Sequence, residues 1–228
     1  QAARALARVG DPSATTLFLR ADCLQDAAQS AAGAGDLVMA IDLYSRAGQP
    51  GLAAECAERA GQFEQAAGLW DEAEDYSRAC ALYEHAGDFS AAAHAAGRAG
   101  DHPRQAALYE RSEQFVDAGE VLARIGAGDE ALRVLAAVAK GSDRWADARA
   151  VAGDVHHQAG RHEEAVAAYG DGLPDIVHFQ EQAAAQLNYA ASLEAVGDFD
   201  RALLVLSRLD GKEFAPMDLN QRKGRVEQ

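Results

Sequence analysis

From Val9 to Val138 the chain divides into ten consecutive blocks of thirteen residues without an insertion. The blocks begin VGDPSATTLFLRA, DCLQDAAQSAAGA, GDLVMAIDLYSRA, GQPGLAAECAERA, GQFEQAAGLWDEA and end at GAGDEALRVLAAV. Their sixth place is Ala14, Ala27, Ala40, Ala53, Ala66, Ala79, Ala92, Ala118 and Ala131, and Gln105 alone breaks the column. Within one block, Ala40, Leu43, Tyr44 and Ala47 stand at spacings of three and four, the spacing of one helix face. The opening Gly of most blocks stops the preceding helix, because glycine tolerates the left-handed conformation that ends one. The Asp beside it, as at Asp36, Asp88 and Asp101, can cap the helix that follows. Each block therefore predicts a helix of about nine or ten residues and a tight turn. At ~1.5 Å rise per residue such a helix is only about 14 Å long. Alone in water it is marginal, so it must bury its Ala–Leu–aromatic face on its neighbours. A row of such helices is a solenoid.

Two blocks make a helical hairpin of 26 residues. The ninth and tenth places alternate at first between bulky and small: Leu17–Phe18, Ser30–Ala31, Leu43–Tyr44, Cys56–Ala57, Leu69–Trp70. Bulky pairs fill the space between helices, and small pairs let a neighbour's backbone come close. The alternation slips at Leu82–Tyr83, which follows Trp70 with no small block between. Aromatics make up only 7% of the chain, so the core must rest on Ala and Leu and on close helix approach.

After Lys140 the period lengthens. The stretch GSDRWADARAVAGDVHHQAGRHEEAVAAYGDGL predicts a helix from about Arg144 to Gln158, a turn at Gly160 and a helix from Arg161 to about Gly170. PDIVHFQEQAAAQLNYAASLEAVGDFDRALLVLSRL repeats the plan with a turn at Gly197. Gly153, Gly160, Ala165 and Tyr169 in the first pair, with Ala190, Gly197, Phe199, Ala202 and Leu206 in the second, resemble tetratricopeptide repeats. The earlier blocks are similar to a shortened second helix of that repeat, and to the short-helix solenoids of coat and transport-complex scaffolds. The resemblance covers about Val9 to Leu209. It implies an all-α, right-handed α-solenoid of stacked antiparallel hairpins, a superhelix like that of the tetratricopeptide repeats. The predicted organisation is a short-helix solenoid over 1–140, two longer hairpins continuous with it over 141–210, and a linker or tail over 211–228.

Charge narrows the partners. The net charge is -15, which argues against a nucleic-acid surface and against an anionic membrane. No apolar run reaches the ~18 residues of a membrane span, and no signal peptide opens the chain. The first residue is Gln rather than Met, so a piece of a longer protein is expected. Cys23, Cys56 and Cys80 form no CxxC pair and are odd in number, which favours reduced, packed thiols and a cytoplasmic location.

No P-loop, GxSxG or dinucleotide loop occurs, so neither cofactor nor catalytic residue is expected, and the Gly-rich AAGAGD merely ends a helix. His156, His157 and His162, with Asp154 nearby, are the most metal-like group, but two of them stand where the resemblance places packing aromatics. They are read as core or half-buried, and no metal is expected. His85, His94 and His102 fall at different places in their blocks and are read as structural or surface residues. The DEAED run supplies Asp71, Glu72, Glu74 and Asp75, the densest charge cluster, as a docking point for a basic partner. The resemblance further implies that the first helix of each longer pair lines a concave groove, through Asp147, Ala150, Asp154 and His157, then Ala184, Leu187, Ala191 and Glu194. Family members that clamp a carboxylate present Lys, Arg and Asn there, so acidic groove residues disfavour that ligand. The expected function is a protein-interaction scaffold or adaptor within a larger protein, binding another protein rather than catalysing. A regulatory sensor arm of a signalling ATPase or small-GTPase pathway is the first rival, and an α-helical enzyme domain the second.

Overall fold

A computed structural model describes residues 13–172 and 183–208, with residue 6. The opening of the first block and the tail over 211–228 lie outside the described residues. All regular structure among the described residues is α-helix, with no strand. The fold is all-α, with successive helices packing in a row, as the thirteen-residue register requires. Contacts divide the chain into two compact units, residues 1–112 and residues 113–228.

In the first unit the helices are α1 (Ser13–Arg20), α2 (Leu24–Ala34), α3 (Leu37–Arg46), α4 (Pro50–Arg59), α5 (Phe63–Glu72), α6 (Tyr76–Ala86), α7 (Phe89–Arg98) and α8 (His102–Arg111). Within this unit each helix packs on its neighbours in the chain. The count of thirteen now has a local cause. From α3 to α5 every helix has ten residues, followed by three residues of turn: a helix-ending Ala, a left-handed residue and an N-cap residue. The left-handed residue is the first place of the block. It is Gly35, Gly48, Gly61, Gly87, Gly100 and Gly126, with φ between 69° and 86°. Asp22, Glu74 and Glu113 hold the same conformation without being glycine, at φ 54°, 61° and 60°. The turn is closed by a six-to-one backbone bond, as from Gln49 N–H to the Tyr44 carbonyl and from Asp75 N–H to the Trp70 carbonyl, both 2.9 Å. That is the Schellman closure, which satisfies carbonyls left open at a helix end. The next residue then caps the following helix. The carboxylates of Asp36, Asp88 and Asp101 accept from the backbone N–H three residues on, as read from sequence, and Asp75 does the same.

A side chain held at positive φ costs about 1–2 kcal/mol. Glycine gives part of that back through the greater freedom of its unfolded chain, about 0.5–1 kcal/mol. Glu113→Gly is therefore expected to raise stability by about 0.5–1 kcal/mol, read as a higher urea midpoint at unchanged slope. A lower midpoint would mean that the Glu113 side chain makes a contact worth more than the strain.

The alanine column is the seam of the row. All nine alanines of the sixth place are 0% exposed. The exception carries its own accommodation: a Cβ built on Gly97 would lie 2.5–3.0 Å from the Gln105 amide atoms. A glycine on α7 thus makes room for the one long side chain in the column on α8. Bulky and small pairs alike are buried at places nine and ten, as Leu43–Tyr44, Cys56–Ala57, Leu69–Trp70, Ala95–Ala96 and Leu108–Tyr109, whereas in the first block Phe18 is buried and Leu17 is exposed. Where the alternation slips, Leu82 and Tyr83 are left half-buried. Cys56 and Cys80 are packed thiols, and burial pushes both above the ordinary thiol range. Cys23 departs from the expectation of packed thiols: it is exposed, because it stands in a turn as the N-cap of α2.

The second unit holds α9 (Phe115–Arg124), α10 (Gly128–Leu135), α11 (Trp145–Gln158), α12 (His162–Gly172), α13 (Ala183–Ala195) and α14 (Phe199–Arg208). The predicted turns at Gly160 and Gly197 are left-handed, at φ 70° and 82°. Here a helix also packs on the next but one, α11 on α13 and α9 on α11. Ala165, Tyr169, Ala190, Ala202 and Leu206 are all 0% exposed and share one core cluster. A Cβ on Gly153 would stand 2.5–2.7 Å from the Tyr169 ring, so the missing side chain on α11 is the seat of the tyrosine from α12. Phe199 is 48% exposed, since it opens α14 rather than facing the cluster.

Candidate functional site

The acidic run lies across the α5–α6 turn, and its four carboxylates have different duties. Asp71 is half-buried and ion-paired with Arg98 of α7. Asp75 caps α6 and pairs with Arg78 Nε at 3.3 Å. Glu72 ends α5 and Glu74 is the left-handed residue of the turn; both are exposed. A depression beside them is lined by Glu74, Asp75, Tyr76, Ser77 and Arg98. Two of the four charges are therefore bound into the turn, and two face outward.

Arg98 does more than neutralise Asp71. Its guanidinium lies 4.2 Å from the Tyr76 ring centroid and donates to the Tyr76 hydroxyl at 3.0 Å. The same clasp recurs one helix on, where Arg111 covers Phe89 at 3.9 Å. One helix back, His85 meets Phe63 edge to face at 4.8 Å. In each pair the last turn of one helix covers the first residue of the helix before it, twenty-two residues earlier in the chain. Cation–ring contacts at such partly exposed sites contribute about 0.5–1 kcal/mol each. The sequence reading missed these clasps, although their signal was present: bulky rings recur in the third place and Arg or His in the twelfth.

The positions carried over from the resemblance fall on α11 and α13, which do pack together. Asp154 Oδ1 accepts from the Tyr169 hydroxyl and from Asn188 Nδ2, the latter at 2.8 Å. Burial, followed by the Asp154 carboxylate, pushes the Tyr169 phenol far above its usual range, so it stays a donor. His157 Nδ1 lies 2.8 Å from Ser192 Oγ. Asp147 accepts from Arg144 Nε at 2.9 Å at the start of α11. Ala150 is buried in the core cluster, against which the half-buried Leu187 also packs. Glu194 is half-buried near the end of α13, and Ala184 is exposed near its start. Asp154 and His157 thus bridge α11 to α13, and Asp154 also bridges to α12.

His156, His157 and His162 are half-buried, in line with the packing reading. Among the described residues no group of three or more His, Cys, Asp or Glu side chains converges as metal ligands would. His94 and His102 are engaged locally, with Tyr109 at 3.3 Å and Gln105 at 3.2 Å. No described helix is long and apolar enough to cross a membrane.

No family model matches the chain, and no curated protein matches it. Among solved structures it is similar to the crystal structure of BtubC (BKLC) from P. vanneervenii, with 19% identity over 94% of this chain and 89% of that one. The TM-score of that superposition is 0.32.

Proposed function

We propose that the chain is a protein-binding scaffold or adaptor module of the tetratricopeptide-like kind, working by recognition rather than catalysis. The observation that carries this reading is the alanine seam. Each short helix of the first unit spends one face on its neighbours and leaves the other to solvent, so the row repeats a polar face at a fixed interval. Such one-dimensional arrays provide extended binding surfaces. The polar groups that converge inside the second unit, Asp154 with Tyr169 and Asn188, are engaged in holding helices together. The partner is another protein with a basic patch, met without cofactor, nucleic acid or membrane, in the cytoplasm. Glu72 and Glu74 are the contact charges of the acidic run, because Asp71 and Asp75 are committed to Arg98 and to the α6 cap.

The test separates binding from stability. Glu72→Gln with Glu74→Gln leaves the ion pair and the cap in place. Exposed charges act mainly on association and are screened by salt, with a Debye length of about 10 Å at 0.1 M and about 3 Å at 1 M. Against the partner recovered with the intact chain, the double variant is expected to associate several-fold more slowly at low salt, with little change in dissociation. An association rate indifferent to both salt and these two residues would refute the acidic contact. Failure of the intact chain to retain any protein partner would refute the scaffold reading itself.

A further inference from the structure

Three histidines, His156, His157 and His162, stand within seven residues where α11 turns into α12. The rings of His157 and His162 are edge to face with centroids 5.6 Å apart, and His157 reaches Ser192 on α13. Nδ1 of His156 and Nδ1 of His162 are buried with no hydrogen-bond partner. A neutral imidazole tolerates such a place by carrying its proton on Nε2. An imidazolium cannot, because both nitrogens become donors, and an unmatched donor on a buried charge is far costlier than an unmatched lone pair.

The surrounding charges point the same way. Arg161 in the turn and Arg149 on α11 repel a cation at His156, while Glu164 on α12 attracts one. Arg161 is shared with Asp129 at the start of α10, at 3.6 Å, where the Gly128 backbone also meets Val155 of α11. Other ionisable groups on the packed elements include Asp147 and Asp154 on α11, Glu163 and Asp171 on α12, the latter paired with Arg149 at 3.6 Å, Glu130 and Arg133 on α10, and Glu194 on α13. Glu194 Oε1 is itself buried without a partner. On α9, Asp117 pairs with Arg144 at the far end of α11, and Glu120 lies within its reach. The carbonyl end of α11 favours a cation in its last turn. Burial, then Arg161, outweigh it and hold His156 below the ordinary histidine range.

We propose that this corner is an acid-sensitive latch, closed while His156 is neutral and loosening α12 from α11 when His156 takes up a proton. The closed form binds the proton more weakly than the open form. Its stabilisation is therefore fully present above about pH 6.5 and is lost as pH falls below that value.

Hydrogen exchange on the intact chain at pH 7.5 and 5.5, corrected for intrinsic chemistry, reads the latch directly. Amides in the last turn of α11 and in α12 are expected to open several-fold more often at pH 5.5 than at pH 7.5. Amides of α3 to α5 serve as the internal reference. His156→Gln, which keeps a polar side chain but cannot take the charge, is expected to abolish the difference. No acceleration in the wild type, or equal acceleration in the variant, would overturn the latch. An NMR titration of His156 in the unmodified protein gives an independent reading, and a midpoint at or above 6.5 would overturn it even if the variant failed to fold.

Discussion

Tyr169→Ala is expected to lower the stability of the second unit by about 3–5 kcal/mol, the range for removing a buried aromatic side chain. The ring is 0% exposed and belongs to a core cluster of that unit. Its place on α11 is cut to shape by Gly153, and the tilted ring of Tyr189 lies 5.2 Å away. Removing it opens a cavity that Gly153, with no side chain, cannot help to fill. It also strips Asp154 of one of its two donors. Tyr169→Phe separates the two contributions, because it keeps the ring and loses only the hydroxyl; its cost is expected near 1–2 kcal/mol. Urea unfolding followed by a probe in the second unit measures both. An alanine variant within about 1 kcal/mol of the wild type would mean that α12 does not dock on α11 through this ring.

The second large effect comes from filling rather than emptying. Ala79→Leu places three extra carbons where the wild-type side chain is 0% exposed, inside the seam between consecutive short helices. Overpacking of a close-packed core costs about 1–3 kcal/mol. A ten-residue helix has little length over which to absorb the shift, so the upper half of that range is expected. Ala107→Leu is the control, since Ala107 is exposed on α8; its effect should stay within about 0.5 kcal/mol. Equal midpoints for the two variants would place the alanine column outside the seam.

The alanine column and the Gly–Asp turn were legible because they are local and repeat at one interval. Ten or so residues suffice to read each, and repetition removes the ambiguity of any single block. The left-handed backbone at Asp22, Glu74 and Glu113 was legible only through the register, since no residue type there announces it. The duties of Asp71 and Asp75 were not legible. Their partners depend on which side chain a helix presents twenty-seven residues later, in the case of Arg98, or on a cap that could as well have been a free surface charge. The clasp of Arg98 on Tyr76 escaped for a related reason: its interval of twenty-two joins two different columns, the third and twelfth places, and neither column alone names the other as its partner. In the second unit the groove positions were carried over by register, and they fall on α11 and α13, which pack on one another. It could not say that Asp154 and His157 would be consumed by hydrogen bonds between those helices.

The three-residue turn makes the first unit a counting frame. Inserting or deleting one residue within a helix would rotate everything after it by about 100° relative to the last alanine. The seam would then face water until the next turn, and the following left-handed position would fall on a residue chosen for a helix. Adding or removing a whole block of thirteen does neither, because the turn resets the frame. A helix at the end of the row could be duplicated or lost with its neighbours' packing intact. The length of such a row is thus free to change in whole blocks but strongly held against any smaller step, much as a reading frame tolerates codons but not single bases.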